Sequence, residues 1–119
     1  MNKQEHVMIG LIVFSLFTWI FYNIVKIPIN MIIFGGIGAL FGSIIPDLLE
    51  PATNWMHRGT CHSKRALKFT VKVFAIVVLI GLLSFFFSTF LIFYIIASFF
   101  LGYIAHLLAD ATTTVGLPD

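Results

Sequence analysis

The chain has 119 residues, of which 60% are hydrophobic and 10% are charged, and its formal net charge is +2. A soluble domain carries about a quarter charged residues, so this composition excludes an ordinary soluble domain and indicates a membrane protein. The single cysteine excludes an internal disulfide. Because anionic lipid headgroups account for the small positive charge, we predict membrane lipids, and no nucleic acid, as partners.

Two uncharged apolar segments come first. Residues 7–25 are about long enough to span a hydrocarbon core of roughly 30 Å, whereas a signal peptide would be shorter and would be followed by a cleavage site. The second predicted span covers residues 29–45 and ends at Pro46 and Asp47. Small residues recur along it at four-residue spacing, which lets a second helix approach closely in lipid. They are Gly35, Gly38, Ala39, Gly42 and Ser43.

The third apolar region, residues 66–110, is too long for one span, since a single helix of this length would extend roughly 65 Å at about 1.5 Å per residue. We predict a turn at SFFFST, residues 84–89, between helices at 66–86 and 88–109. The fold class is therefore an all-α polytopic membrane protein with four transmembrane helices. They form one domain over residues 1–119, with a motif loop at residues 46–65.

Basic residues indicate the orientation. Four spans place both termini and the motif loop on one side, and six of the seven Lys and Arg residues lie there, Lys26 being the exception. Because positive residues mark the cytoplasmic side, we predict a multi-pass protein of the inner (cytoplasmic) membrane with both termini cytoplasmic.

The same topology brings chemically active residues to that side, including all four histidines and all five acidic residues. Each of these residues also has an interpretation that needs no common site. A histidine can lie at headgroup level, an aspartate can end a helix, and His106 and Asp110 can form a structural pair. A common site is favoured because histidines and acidic residues placed independently of one another would not all lie on one side of the membrane. Imidazoles and carboxylates together suit a divalent ion such as zinc, manganese or iron. The converging residues are His6, Asp47, His57, His62, His106 and Asp110.

Three sequence blocks, IPDLLEP, MHRGTCHS and GYIAHLLADATTTVG, resemble the signature blocks of the YdjM-like family of small inner-membrane proteins. That family is assigned metal-dependent hydrolase activity, so the resemblance implies a hydrolase. Leu49 and Glu50 stand where the family has a second aspartate and a histidine, which leaves the number of metal ions open. The matching positions are His6, Pro46, Asp47, His57, Arg58, Gly59, His62, Ser63, Gly102, Tyr103, His106, Asp110, Thr113 and Gly116.

We predict a metal site at the cytoplasmic membrane interface, with zinc as the first choice and manganese or iron as alternatives. Catalytic zinc typically takes three protein ligands and a water, so some candidates must instead orient a ligand imidazole, as Asp110 would for His106. His57 is the candidate general acid or base, and Arg58 the candidate group for a phosphate or oxyanion. The ligand candidates are His6, Asp47, His62, His106 and Asp110.

The predicted reaction is hydrolysis by metal-activated water of a lipid-like ester or phosphoester. Direct attack by water is favoured because the chain has no GxSxG motif. Arg58, Lys64 and Arg65 favour an anionic headgroup, since arginine binds phosphate in a bidentate manner. The alternative is a non-catalytic metal-binding membrane module in which the ion ties helix ends together. A transporter is disfavoured because its ionisable residues would lie near the bilayer midplane.

Topology is testable by cysteine labelling in a variant without Cys61. Because basic residues concentrate on one side, single cysteines near Lys3, Lys64 and Asp119 should react only from the cytoplasm. Labelling near Lys64 from the opposite side would contradict the orientation and the convergence derived from it.

Overall fold

The computed structural model describes residues 3–24, 26–49, 63–83 and 90–112. These residues form four helices, α1 (Lys3–Ile24), α2 (Ile29–Leu49), α3 (Lys64–Leu83) and α4 (Phe90–Ala111). Each helix is long and apolar enough to cross a membrane, which confirms the predicted all-α class with four candidate spans; membrane insertion itself is inferred from composition. The predicted turn at 84–89 and residues 50–62 of the motif loop lie outside the described residues.

Two helices extend further toward the motif residues than the sequence predicted. Helix α2 was predicted to end at Pro46 and Asp47, but it contains both residues and continues to Leu49. Proline is tolerated inside membrane helices because neighbouring helices support the backbone group that it leaves unbonded. Helix α1 likewise begins at Lys3, so His6 lies within the helix instead of before it. Both extensions place site residues on rigid backbone.

Helix α4 is the centre of the bundle. In its most apolar stretch 61% of residues are buried, compared with 11% for α3. Helices α1 and α2 pack against each other and against α4, whereas α3 packs mainly against α4. The main apolar core therefore lies between α1, α2 and α4. Its buried residues are Phe14, Phe17, Phe21, Ile27, Ala39, Tyr94, Ala97 and Leu101.

The outer surface is apolar and part of the interior is polar, the reverse of a soluble protein. Trp19 is 67% exposed and Leu83 is 71% exposed, while Ser98 is fully buried. Thr18 on α1 and Tyr94 on α4 share a buried hydrogen bond of 2.7 Å between their hydroxyl groups. An apolar outer surface is compatible with lipid. Lipid also favours hydrogen bonds between helices, because buried polar groups have no water to bind there.

Helices α2 and α4 approach to backbone contact where glycines face each other. A Cβ atom at Gly42 would collide with the carbonyl oxygen of Phe99, and one at Gly102 would collide with that of Ala39. Gly38 is also close, since a Cβ there would lie 3.2 Å from the carbonyl oxygen of Ile95. The predicted packing role of the small residues in α2 is confirmed by this crossing.

The start of α3 is set by Ser63. Its hydroxyl oxygen accepts a hydrogen bond of 3.0 Å from the backbone N–H of Ala66, which is the geometry of a helix N-cap. Ala66 and Leu67 then pack against Tyr103 and Leu107 of α4. The first turn of α3 therefore lies beside the last turns of α4.

The crossing of α2 and α4 predicts a sharp difference between two glycines of α2. Gly42→Ala should lower the free energy of unfolding by about 1–3 kcal/mol, because the new methyl group must push the α4 backbone away. Gly36→Ala is the matched control, since a Cβ there would lie 3.5 Å from the Phe14 ring in ordinary contact. Reversible unfolding in mixed detergent micelles measures both. Equal stabilities for the two variants would contradict the close approach.

Candidate metal centre

The site lies where α1 begins and α2 and α4 end. Helix α1 brings His6, α2 brings Asp47, and α4 brings His106 and Asp110, which are four residues apart and so share one face. We call this end of the bundle, defined by these four residues, the site end. Three separate helices must be correctly packed before the four side chains can meet.

Asp110 connects the two histidines. The Nε2–H group of His6 donates a hydrogen bond of 2.8 Å to Oδ1 of Asp110. The other carboxylate oxygen, Oδ2, lies 3.3 Å from Nε2 of His106. The imidazole rings are stacked, with centroids 3.8 Å apart and planes inclined by 21°. The Asp110 carboxylate therefore lies next to the Nε2 atoms of both rings.

The backbone of α2 fixes the tautomer of His106. Its Nδ1 atom lies 2.6 Å from the carbonyl oxygen of Ser43. A carbonyl oxygen can only accept, so Nδ1 carries the proton and donates it. In the neutral ring the lone pair is then on Nε2. Metal-binding histidines are commonly oriented in this way, because the bond at one nitrogen leaves the other ready to bind an ion.

The Nε2 atom of His106 faces two carboxylates. It lies 3.4 Å from Oδ1 of Asp47 and 3.3 Å from Oδ2 of Asp110. A lone pair directed at two negative oxygens is unfavourable unless a cation is shared between them. Either a proton on Nε2 or a shared metal ion would supply that positive charge. Ligand atoms on a tetrahedral ion with bonds of about 2.0–2.1 Å are roughly 3.3–3.4 Å apart, so the distances are compatible with an ion held by these groups.

The donor set suits a transition metal. His6, Asp47 and His106 offer ligand atoms that all lie within 4.8 Å of one another. Two imidazoles and one carboxylate are ligands that zinc accepts readily, and manganese or iron also fits them. His6 and His106 are 2% and 0% exposed, but 34% of the Asp47 side chain is exposed. Among the described residues, Asp47 is thus the member of this group that can be approached from outside.

The structure brings together four of the five predicted ligand candidates, His6, Asp47, His106 and Asp110. Their convergence is confirmed, while their role as ligands stays a prediction. The fifth candidate, His62, and the predicted catalytic pair, His57 and Arg58, lie outside the described residues.

Sequence reasoning missed the contribution of Ser43. We expected only a small packing residue there, yet its carbonyl oxygen orients His106. A backbone acceptor has no side-chain signal, because every residue carries a carbonyl group. The only clue was spacing, since Ser43 lies four residues before Asp47 and thus on the same face of α2.

Comparison with known proteins found no matching family model, no matching curated protein and no matching solved structure. The case for this site therefore rests on its own geometry, and the resemblance to the YdjM-like family stays a prediction from sequence motifs.

Metal binding is testable by substitution. Asp47→Asn and His106→Gln should each lower affinity for zinc at least tenfold, because each removes a donor from the group. Asp110→Asn should weaken affinity by about 10–100-fold if it acts through the histidines. Equilibrium dialysis with zinc followed by elemental analysis measures the bound ion per chain.

Two control variants accompany these substitutions. Glu5→Gln removes an exposed carboxylate next to His6 in the sequence and should bind zinc as the unmodified protein does. Arg58→Ala should also bind normally, since arginine is not expected as a ligand. Full occupancy in both Asp47→Asn and His106→Gln would remove these residues from the ligand set.

Proposed function

We propose that this protein is a membrane-embedded, metal-dependent hydrolase that uses the site end as its active site. The observation that carries the proposal is the environment of His106. Its Nδ1 donates to the Ser43 carbonyl oxygen, so its Nε2 lone pair faces the carboxylates of Asp47 and Asp110 at distances typical of ligands on one ion. His6 and Asp47 supply the further donors.

A catalytic role, in contrast to a purely structural one, is supported by the number and exposure of the donors. Two histidines and one carboxylate are a ligand set used by zinc hydrolases, which leave one position for water or substrate. The partly exposed Asp47 carboxylate gives this group an accessible side. When bound, the ion acts as a Lewis acid and makes water a better nucleophile near neutral pH.

The residues of this chain have distinct tasks in the proposal. Asp110 orients His6 by a hydrogen bond, and the Ser43 carbonyl keeps His106 in the tautomer that presents Nε2. His57 acts as general acid or base, and Arg58 stabilises negative charge on the substrate. Both belong to the motif loop, which the sequence connects directly to Asp47 on α2.

The proposed substrate is an amphipathic ester or phosphoester. Site residues lie at the ends of apolar helices, where a lipid presents its polar group without leaving the bilayer. Hydrolase activity itself is proposed from the resemblance to the YdjM-like family. The unequal distribution of basic residues supports an inner-membrane location with both termini and the motif loop in the cytoplasm.

Burial of the site favours a second candidate, a non-catalytic metal-binding module. His6, His106 and Asp110 are 2%, 0% and 3% exposed. An ion held by His6, His106 and Asp47 in this buried setting would tie α1, α2 and α4 together without meeting a substrate. The coordination sphere separates the two candidates. X-ray absorption of the zinc-loaded protein should show an exchangeable solvent ligand in a hydrolase and only protein ligands in a structural site.

The activity test uses zinc-loaded protein in nanodiscs with a panel of phospholipids and lipid phosphates, and it measures released headgroup or phosphate. Turnover should disappear with a chelator. His57→Ala should lower turnover by about 10²–10⁴-fold, because it removes the proposed proton-transfer group. Lys68→Ala should retain turnover and serves as the control for loss of one basic residue. Absence of turnover across the panel, together with a closed coordination sphere, would favour the structural module.

A further inference from the structure

A groove of about 510 Å³ lies between α2, α3 and α4 near the site end. Helices α2 and α3 hardly touch each other, although both pack against α4. The groove is therefore a gap between two helices with the third as its floor. Ile45 and Leu49 line it from α2, and Phe99, Phe100 and Tyr103 line it from α4.

The lining is apolar and faces outward. Leu49 is 61% exposed and Phe69, on the α3 side, is 65% exposed. The volume falls in the range of about 300–1,000 Å³ that is usual for small-molecule sites. Because these helices have the composition of membrane spans, the gap opens toward lipid chains instead of water.

Among the described residues that line the groove, Arg65 is the charged one, and it lies toward one end. Arg65 is exposed in the first turn of α3, whereas Phe69 and Thr70 lie a turn further along the helix. A guanidinium group is suited to phosphate because it donates two parallel hydrogen bonds. The positive end of the α3 dipole lies at the same place and also favours an anion. The groove thus has a positively charged end and an apolar body.

The groove leads toward the site along α4. Phe99, Tyr103, His106 and Asp110 are spaced by four, three and four residues, which places them along one face of the helix. The first two line the groove and the last two belong to the site end. A chain lying in the groove would therefore direct its polar group toward the end of the bundle that carries the site.

We propose that this groove binds one acyl chain of an anionic phospholipid, with the lipid phosphate paired to the guanidinium group of Arg65. Charge complementarity identifies the occupant, since a second protein copy would have to bring an anion of its own to the same end. Binding is independent of catalysis. The further statement that the bound lipid is a substrate rests on the proposed hydrolase function.

The headgroup contact is tested by native mass spectrometry of the full chain in detergent, titrated with phosphatidic acid or phosphatidylcholine of identical acyl chains. The unmodified protein should prefer phosphatidic acid. Arg65→Gln should weaken phosphatidic acid binding about tenfold, the effect of losing a charged hydrogen bond, and should change phosphatidylcholine binding little. Lys68→Gln is the matched control because it removes an exposed charge on α3 that does not line the groove.

The acyl-chain contact is tested by filling the groove. Leu49→Trp should weaken binding of both lipids, whereas Leu48→Trp should not, because Leu48 is similarly exposed at 63% and does not line the groove. Glycerol 3-phosphate, which has no acyl chain, should not compete. An unchanged helical circular dichroism spectrum in each variant shows that the fold is intact.

Three results would overturn the lipid site. They are equal effects of Arg65→Gln and Lys68→Gln, equal effects of Leu49→Trp and Leu48→Trp, or a dimer mass that disappears only in Leu49→Trp, which would make a second copy the occupant. Lipid binding without turnover would support the groove and count against the hydrolase. Turnover unaffected by Arg65→Gln and Leu49→Trp would support the hydrolase and reject the lipid in the groove as its substrate.

Discussion

The backbone contact between α2 and α4 is the constraint on which the rest of the structure depends. Gly42 and Gly102 lie where a Cβ atom would collide with the carbonyl oxygen of the opposite helix. In lipid, apolar side chains gain little free energy by leaving the lipid to contact each other, so close backbone packing must hold these helices together. The same approach brings the Ser43 carbonyl within 2.6 Å of the His106 ring. A wider crossing would lose both the packing and the orientation of the imidazole.

Burial of the histidines and of Asp110 at the site end restricts the states in which these residues are stable. Histidine and aspartate are costly between apolar helices unless they are paired or hold an ion. Asp110 accepts a hydrogen bond from His6, whereas Nε2 of His106 lies 3.4 and 3.3 Å from Asp47 and Asp110. A proton or a metal ion shared at this point would offset the repulsion between the two carboxylates. The proposed structural and catalytic roles both require a bound ion, and they differ in whether solvent can reach it.

The helices pack unequally, so that one part of the bundle holds the donor residues and another part leaves a groove. Helices α1, α2 and α4 pack together and bring the donors to one point, whereas α3 packs mainly against α4. The weak packing between α2 and α3 leaves a groove next to the closely packed site end. Because Tyr103 lines the groove and His106 belongs to the site, one face of α4 serves both. This combination fits the proposed action on lipids, in which a substrate would enter sideways from the bilayer while the donors stay fixed.

Composition and apolar run length were sufficient to predict four helices, because lipid requires long uncharged spans whatever their partners. An even number of spans also predicted that His6, Asp47, His106 and Asp110 would share one end. Helix α2 continues to Leu49, past its predicted end at Pro46 and Asp47, since a proline breaks an isolated helix but not one supported by neighbours. Tertiary structure alone decided that the Ser43 carbonyl orients His106 and that α2 and α3 leave a groove. Both depend on distances between helices, which side-chain packing sets and local spacing does not encode.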